Sequence, residues 1–133
     1  MDKEIINNSE SEKETQNNKT ITEIASFDEL GLKNNLLRGL YAYGFETPSS
    51  IQKKAIMPMI QGKDLIAQSQ SGTGKTGTFA IGTLQLVNES IRKCQAIILA
   101  PTRELAQQIY SVISSLSSYM KKLDVVMCIG GTD

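Results

Sequence analysis

The stretch "DLIAQSQSGTGKT", Asp64 to Thr76, constrains this 133-residue chain more than any other part of it. A short aliphatic run gives way to a cluster of small residues, and Gly-Lys-Thr follows where a helical pattern begins. In such an arrangement, successive backbone N–H groups of the loop converge on phosphate oxygens, and the positive end of the helix dipole reinforces them. Gly72 and Gly74 let the backbone curl closely, Lys75 reaches toward β- and γ-phosphates, and the Thr76 hydroxyl is suited to Mg²⁺. The pattern opens on Ser69 where glycine is usual. That position lies at the strand end, where a small side chain is needed for packing, so serine is tolerated. The loop specifies a nucleoside triphosphate but not its base.

Around the loop the chain alternates. "DLIAQS" at 64–69, "QAIILA" at 95–100 and "DVVMCIG" at 124–130 are six or seven residues long and lack polar alternation. They predict strands buried on both faces, as in a parallel sheet. Helical stretches over roughly 75–90 and 102–119 are long enough for right-handed crossovers. The order strand, helix, strand, helix, strand predicts a doubly wound α/β half. Upstream, "LGLKNNLLRGLYAYG" sets Leu30, Leu36, Leu37, Leu40 and Tyr41 at helical spacings, with Gly44 as the C-terminal cap. "TPSSIQKKAIMPMIQG" predicts a second helix capped by Ser49 or Thr47, with Ile51, Ala55 and Ile56 on one face until Pro58 interrupts.

Residues 1–25 differ in texture. They carry six acidic residues against three basic ones and no aromatic residue, too little apolar surface to offset the entropy of ordering, and predict a disordered polar tail. The remainder of this neutral chain is correspondingly positive, which is compatible with a polyanionic partner without requiring one. There is no histidine, which excludes imidazole catalysis and the common zinc arrangements. Cys94 and Cys128 border aliphatic runs and read as small buried hydrophobes. No run approaches the roughly 18 apolar residues of a membrane span, and no secretory leader is evident, so a cytoplasmic location is expected, with a nuclear one as the alternative.

Three further stretches resemble the DEAD-box RNA helicases. "GFETPSSIQ", Gly44 to Gln52, is similar to that family's Q motif, and Phe27 stands 17 residues before Gly44, where the family places an isolated aromatic. "PTRELAQQI" at 101–109 and the glycine pair Gly130 and Gly131 after the third run match in register. "LLRGLYAYGFE", "IAQSQSGTGKT" and "LAPTRELAQQI" are most similar to the translation-initiation group of that family and its exon-junction relative. The resemblance implies a three-layer P-loop, RecA-like α/β domain over residues 26–133. It implies ATP and Mg²⁺ as cofactors, held by Phe27, Thr47, Gln52, Ser69, Gln70, Ser71, Gly72, Thr73, Gly74, Lys75 and Thr76. Lys75 and Thr76 carry the catalytic roles, with Thr76 on the metal.

Chemistry supports the carry-over residue by residue. An amide such as Gln52 can pair with the N6 and N7 edge of adenine, and Phe27 is expected to stack on the base, with backbone near Thr47 completing the contact. Taken singly, a helix-start glutamine and a core phenylalanine fit as well; the 17-residue register is what assigns them to the base. Pro101, Thr102, Arg103, Gly130 and Gly131 are implied to hold RNA phosphate without reading sequence, although Arg103 also suits a structural ion pair. Gly77 and Gly82 stand where helix formers are usual, each costing up to about 1 kcal/mol relative to alanine.

The family's chemistry also needs an Asp-Glu-Ala-Asp run and a second RecA-like domain supplying arginines. Neither occurs among the 133 residues. An arginine finger alone is worth about 10³ to 10⁵ in rate, so this chain is expected to bind ATP and to be close to inert as an ATPase by itself. An unpaired sheet edge near Val125 to Ile129 is expected to favour self-association. Translation-initiation scaffold proteins are further candidate partners. The alternatives are a non-catalytic adenine-nucleotide or RNA-binding module, and a different P-loop enzyme such as a small-molecule kinase.

Overall fold

The computed structural model describes residues 3–7, 24–70, 72 and 74–131. Helices form where the apolar period and the caps agree. Helix α1, Asn34–Tyr43, buries Leu36, Gly39 and Leu40 and ends at Gly44, whose φ of 102° lets its N–H reach Leu40 and Tyr41 carbonyls. Helix α2, Ser50–Ile60, starts at a reciprocal cap in which the Ser49 hydroxyl takes the Gln52 N–H and the Gln52 side chain takes the Ser49 N–H. Pro58 does not interrupt it: α2 continues to Ile60, because a missing N–H so close to the end removes little, and the Pro58 carbonyl itself takes the Lys63 N–H.

Helix α3, Lys75–Leu86, follows the phosphate loop and stops at Val87, whose backbone is extended, four residues short of the expected end at Ser90. The Lys33 ammonium donates to the Leu84 and Val87 carbonyls, placing positive charge where the helix dipole is negative. Helix α4, Arg103–Leu116, is capped by the Thr102 hydroxyl. These helices share one core containing Phe27, Leu36, Leu40, Ile56, Ile81, Leu84, Leu116 and Met120. Helix α1 approaches α4 closely: a Cβ at Gly39 would lie 1.9 Å from the Leu116 carbonyl oxygen, so no larger residue fits without parting the helices.

The parallel sheet is smaller than the sequence predicts and differently composed. Of the three predicted strands, 64–69 forms one, β2, over Asp64–Gln68. Its neighbour is Lys3–Asn7, β1, in parallel register with Ile5 opposite Ile66 and Ile6 opposite Ala67. This corrects the reading of 1–25 as a disordered tail for those five residues; most of that tail, 8–23, lies outside the described residues. The reason lies in packing. Ile5 and Ile6 are the tail's one β-branched apolar pair upstream of Ile21, and Ile6 is buried against Ile51 and Ala55 of α2.

The runs at 95–100 and 124–130 form no strand among the described residues. They lie alongside each other in one direction, tied near the start by Arg92 to Asp124 and at the far end by Arg103 to Gly130. The expectation of burial on both faces fails here. Ala100 and Val125 pack on the helical core, while Ile97, Leu99 and Val126 are 79, 89 and 79% exposed. A parallel sheet needs cover on both faces, and the helices reach one side of these runs only. Cys94 borders the first run and Cys128 lies in the second, and both are exposed rather than buried. Between the two runs and helices α3 and α4 is a cavity of about 710 Å³.

Candidate functional site

The phosphate loop is built from both sides. Strand β2 delivers the chain to Ser69, and the loop turns through Gly72 at φ 80° and Gly74 at φ 97° before α3 begins at Lys75. Positive φ is where glycine alone is comfortable. Gly74 is the N-cap of α3, and no side chain caps that end, so the first N–H groups of the helix open at the end of the loop. Lys75 is exposed and Thr76 half-buried at this helix start. Ser71 and Thr73, expected in the same cradle, lie outside the described residues.

Helix α2 grips the loop from below. The Gly74 carbonyl accepts three donors: the Thr78 N–H at 3.0 Å, the Thr78 hydroxyl at 2.9 Å and the Gln52 side-chain amide at 3.3 Å. Gln52 is 1% exposed, and its side-chain oxygen takes the Ser49 N–H at 2.9 Å. The amide expected to read adenine is therefore, as seen here, also a cap and a strut. Ser69 and Gln70 each make polar or electrostatic contacts within the protein. Thr47 is exposed at the turn leading into α2.

Phe27 departs from expectation. Its ring is fully buried in the core, in a 3-10 turn, Phe27–Leu30, whose N-cap is Ser26. Burial of such a ring is worth about 2–3 kcal/mol, and at 0% exposure within the helical core it offers no open face to a base. The aromatic nearest the amide is instead Phe45, which sits 6.0 Å from Phe27 and 5.2 Å from Tyr43, centroid to centroid. Phe45 and Gln52 converge over Gly77: a Cβ there would meet the Gln52 amide nitrogen at 2.7 Å and the Phe45 ring at 3.1 Å. Sequence reasoning did not single out Phe45 or Thr78. Thr78 was detectable in principle, as a hydroxyl four residues after the loop's last glycine.

The second expected site is assembled at the far end of the two unladdered runs. Arg103 donates to the Gly130 carbonyl at 2.8 Å, and the Thr102 hydroxyl accepts the Leu105 N–H at 3.1 Å. Pro101, Thr102, Arg103, Gly130 and Gly131 are all exposed, and Gly131 turns at φ 87°. Arg103 uses one nitrogen on this carbonyl and carries five N–H donors in all. Among the described residues its partner is this backbone carbonyl rather than the carboxylate of an ion pair. Gly130 and Arg103, far apart in sequence, are brought together as one polar shelf.

Comparison with known proteins follows this division. Residues 49–133 match the DEAD/DEAH box helicase family model. The chain is 60% identical over 109 residues to the ATP-dependent RNA helicase eIF4A of Yarrowia lipolytica, covering 82% of this chain and 27% of that protein. It is 58% identical over 108 residues to eukaryotic initiation factor 4A of Drosophila melanogaster, covering 81% and 27%. The chain thus spans about a quarter of the length of the curated relatives it matches. Among solved structures it is similar to the RNA helicase Prp28 of Chaetomium thermophilum bound to ADP, with TM-score 0.75, 36% identity, and 84% and 28% coverage. It is also similar to S. cerevisiae Dbp5 bound to RNA and ADP BeF3, with TM-score 0.69, 46% identity, and 72% and 25% coverage.

Proposed function

The chain belongs to the DEAD/DEAH box helicase family, and from that premise we propose that it forms the nucleotide-binding part of an ATP-dependent RNA helicase of the translation-initiation type. The observation that carries the reading is the join at Gly74, where phosphate loop, α3 N-terminus and Q-motif amide meet through one carbonyl. Phosphate oxygens would sit over the loop and the open N–H groups of α3, with Lys75 offsetting their charge. Gln52 supplies adenine selectivity. The polar shelf of Pro101, Thr102, Arg103, Gly130 and Gly131 holds RNA by its phosphates without reading sequence.

The residues present fit one Mg²⁺ contact, the Thr76 hydroxyl, since this ion usually keeps several waters and is bound through few protein groups plus substrate phosphates. The ion would neutralise charge on the transferring phosphate. Among the described residues no group of three or more Cys, Asp or Glu side chains could hold a metal by itself. The carboxylates just upstream of the Q motif are engaged elsewhere: Asp28 with Ser26 and Tyr41, Glu29 with the Ala25 N–H. That observation favours a second reading for the isolated chain, a module that binds nucleotide and RNA without turnover. Its setting in the cell is the cytoplasm, with the nucleus as the alternative. Its partners are RNA, initiation scaffold proteins, and a second copy meeting the exposed Ile97, Leu99 and Val126.

Titration of labelled ATP and GTP against the chain tests the site. ATP is expected to bind more tightly, and Gln52→Ala to abolish the difference; equal affinities in the parent would remove the adenine reading. Phosphate release with and without RNA is expected to stay at background. An RNA-stimulated rate near that of a full helicase would show that the chain is catalytic by itself.

A further inference from the structure

Gln52 occupies a position in which it cannot do what a base-reading amide must do. To pair with adenine it has to turn its oxygen and nitrogen outward together. Here the oxygen takes the Ser49 N–H at 2.9 Å, the nitrogen gives to the Gly74 carbonyl at 3.3 Å, and the residue is 1% exposed. The amide is latched inward.

That latch has a steric permit. Gly77 lies inside α3 and is absent from the glycines with positive φ, so its backbone does not require glycine, which costs a helix about 1 kcal/mol relative to alanine. Space explains it instead. A methyl at 77 would stand 2.7 Å from the Gln52 amide nitrogen and 3.1 Å from the Phe45 ring. Phe45 is flanked by Phe27 and Tyr43 and is stiff, whereas the Gln52 amide is the end of a flexible side chain. The methyl would therefore displace the amide before the ring.

We propose that Gly77 is a specificity-determining position: by leaving room for the inward amide, it sets the fraction of molecules whose Gln52 is free to read the base. A site competent only in its minor conformer binds more weakly by the competent fraction. The parent chain then discriminates ATP from GTP less well than its residues allow, and a side chain at 77 restores the discrimination. The proposal rests on the adenine-site reading above.

The test uses the full chain. In the absence of nucleotide, the Gln52 side-chain amide protons exchange slowly with solvent in the parent and faster in Gly77→Ala. ATP affinity rises in Gly77→Ala by about three- to tenfold with GTP affinity unchanged, and Gly77→Ala combined with Gln52→Ala loses the gain. On the parent alone, ATP replaces the nuclear Overhauser contacts of the Gln52 amide protons within the protein by contacts to the adenine, while GTP leaves them in place, so the latch is testable even where Gly77→Ala fails to fold. A folded Gly77→Ala with the parent's ATP-to-GTP ratio, or an amide that keeps its contacts within the protein when ATP is bound, overturns the latch while the adenine reading stands. Equal ATP and GTP affinity in parent and variant overturns both.

Discussion

Two halves of this molecule are made from similar amino acids and end up in opposite states. Around α2, the phosphate loop and α3, apolar residues are buried and polar ones are bonded: Ile51, Ala55, Ile56, Ala80 and Ile81 are 0% exposed, and Gln52 is buried with both ends of its amide used. Along 95–100 and 124–130 the runs are at least as aliphatic, yet Ile97, Leu99 and Val126 face solvent. The difference is not hydrophobicity but partnership. A helix satisfies its own backbone and needs one packed face, whereas an extended run needs neighbours for its backbone and cover on both faces. The first half finds these within the chain and the second finds them on one side only.

Paired truncations put the largest stress on that contrast. Ile56→Ala removes atoms from a closed core and is expected to cost about 2–5 kcal/mol. Leu99→Ala, at 89% exposure, is expected to fall within about 0.5 kcal/mol of the parent. Urea denaturation of the two variants, followed by far-ultraviolet circular dichroism, measures both. Comparable losses would mean that the 95–100 run is covered in solution, by a second copy or otherwise, and dilution of Leu99→Ala would then separate those cases.

A smaller effect is expected at the junction itself. Gly74→Ala combines a left-handed φ of 97° with a Cβ that would lie 2.7 Å from the Ser49 hydroxyl and 2.8 Å from the Gln52 amide. The backbone term alone is about 1–2 kcal/mol, and relief of the contacts must move the amide or the loop. Stability should drop by at least that much, and ATP affinity by about tenfold or more if a cost of that size also falls on the cradle. Calorimetric titration with inorganic triphosphate, which has no base, separates the cradle from the amide. Retained triphosphate affinity beside lost ATP preference would place the damage on Gln52 alone.

The same contrast explains what was legible beforehand. Helix α1 could be read from Leu36 and Leu40 with Gly44 behind them, and α2 from Ser49 with Gln52 three residues on, because caps and periods are local. The phosphate loop was legible because strand, glycines, Lys75 and Thr76 are contiguous. Pairing is not local. Ile5 and Ile6 gave little sign that Lys3–Asn7 would lie beside β2, and "QAIILA" specifies extended backbone without saying whether a ladder will form. Phe27 and Gln52 were ambiguous for another reason: a ring that stacks on a base and a ring that fills a core have the same composition, and an amide that caps a helix sits where one that reads adenine would. Only packing distinguishes them, and Gly77, which looked merely unfavourable, is where that packing shows.

The mildest prediction falls on the exposed half. Arg103 is joined to the Gly130 carbonyl at 2.8 Å in open solvent, so Arg103→Ala removes little from the fold, within about 0.5 kcal/mol. If Arg103 also holds an RNA phosphate, the variant loses RNA affinity evenly across sequences, and the slope of log affinity against log salt for single strands flattens by about 0.7. Filter binding of unrelated single-stranded RNAs at several salt concentrations reads this directly. Arg103→Lys keeps one charge but lacks the planar fork, so it should retain the salt slope while losing the Gly130 bond. An unchanged slope in Arg103→Ala would assign the residue to tying the two runs together. The shelf would then be a splice between runs that never became strands, and RNA would have to be held by Thr102 and the N–H groups at the start of α4.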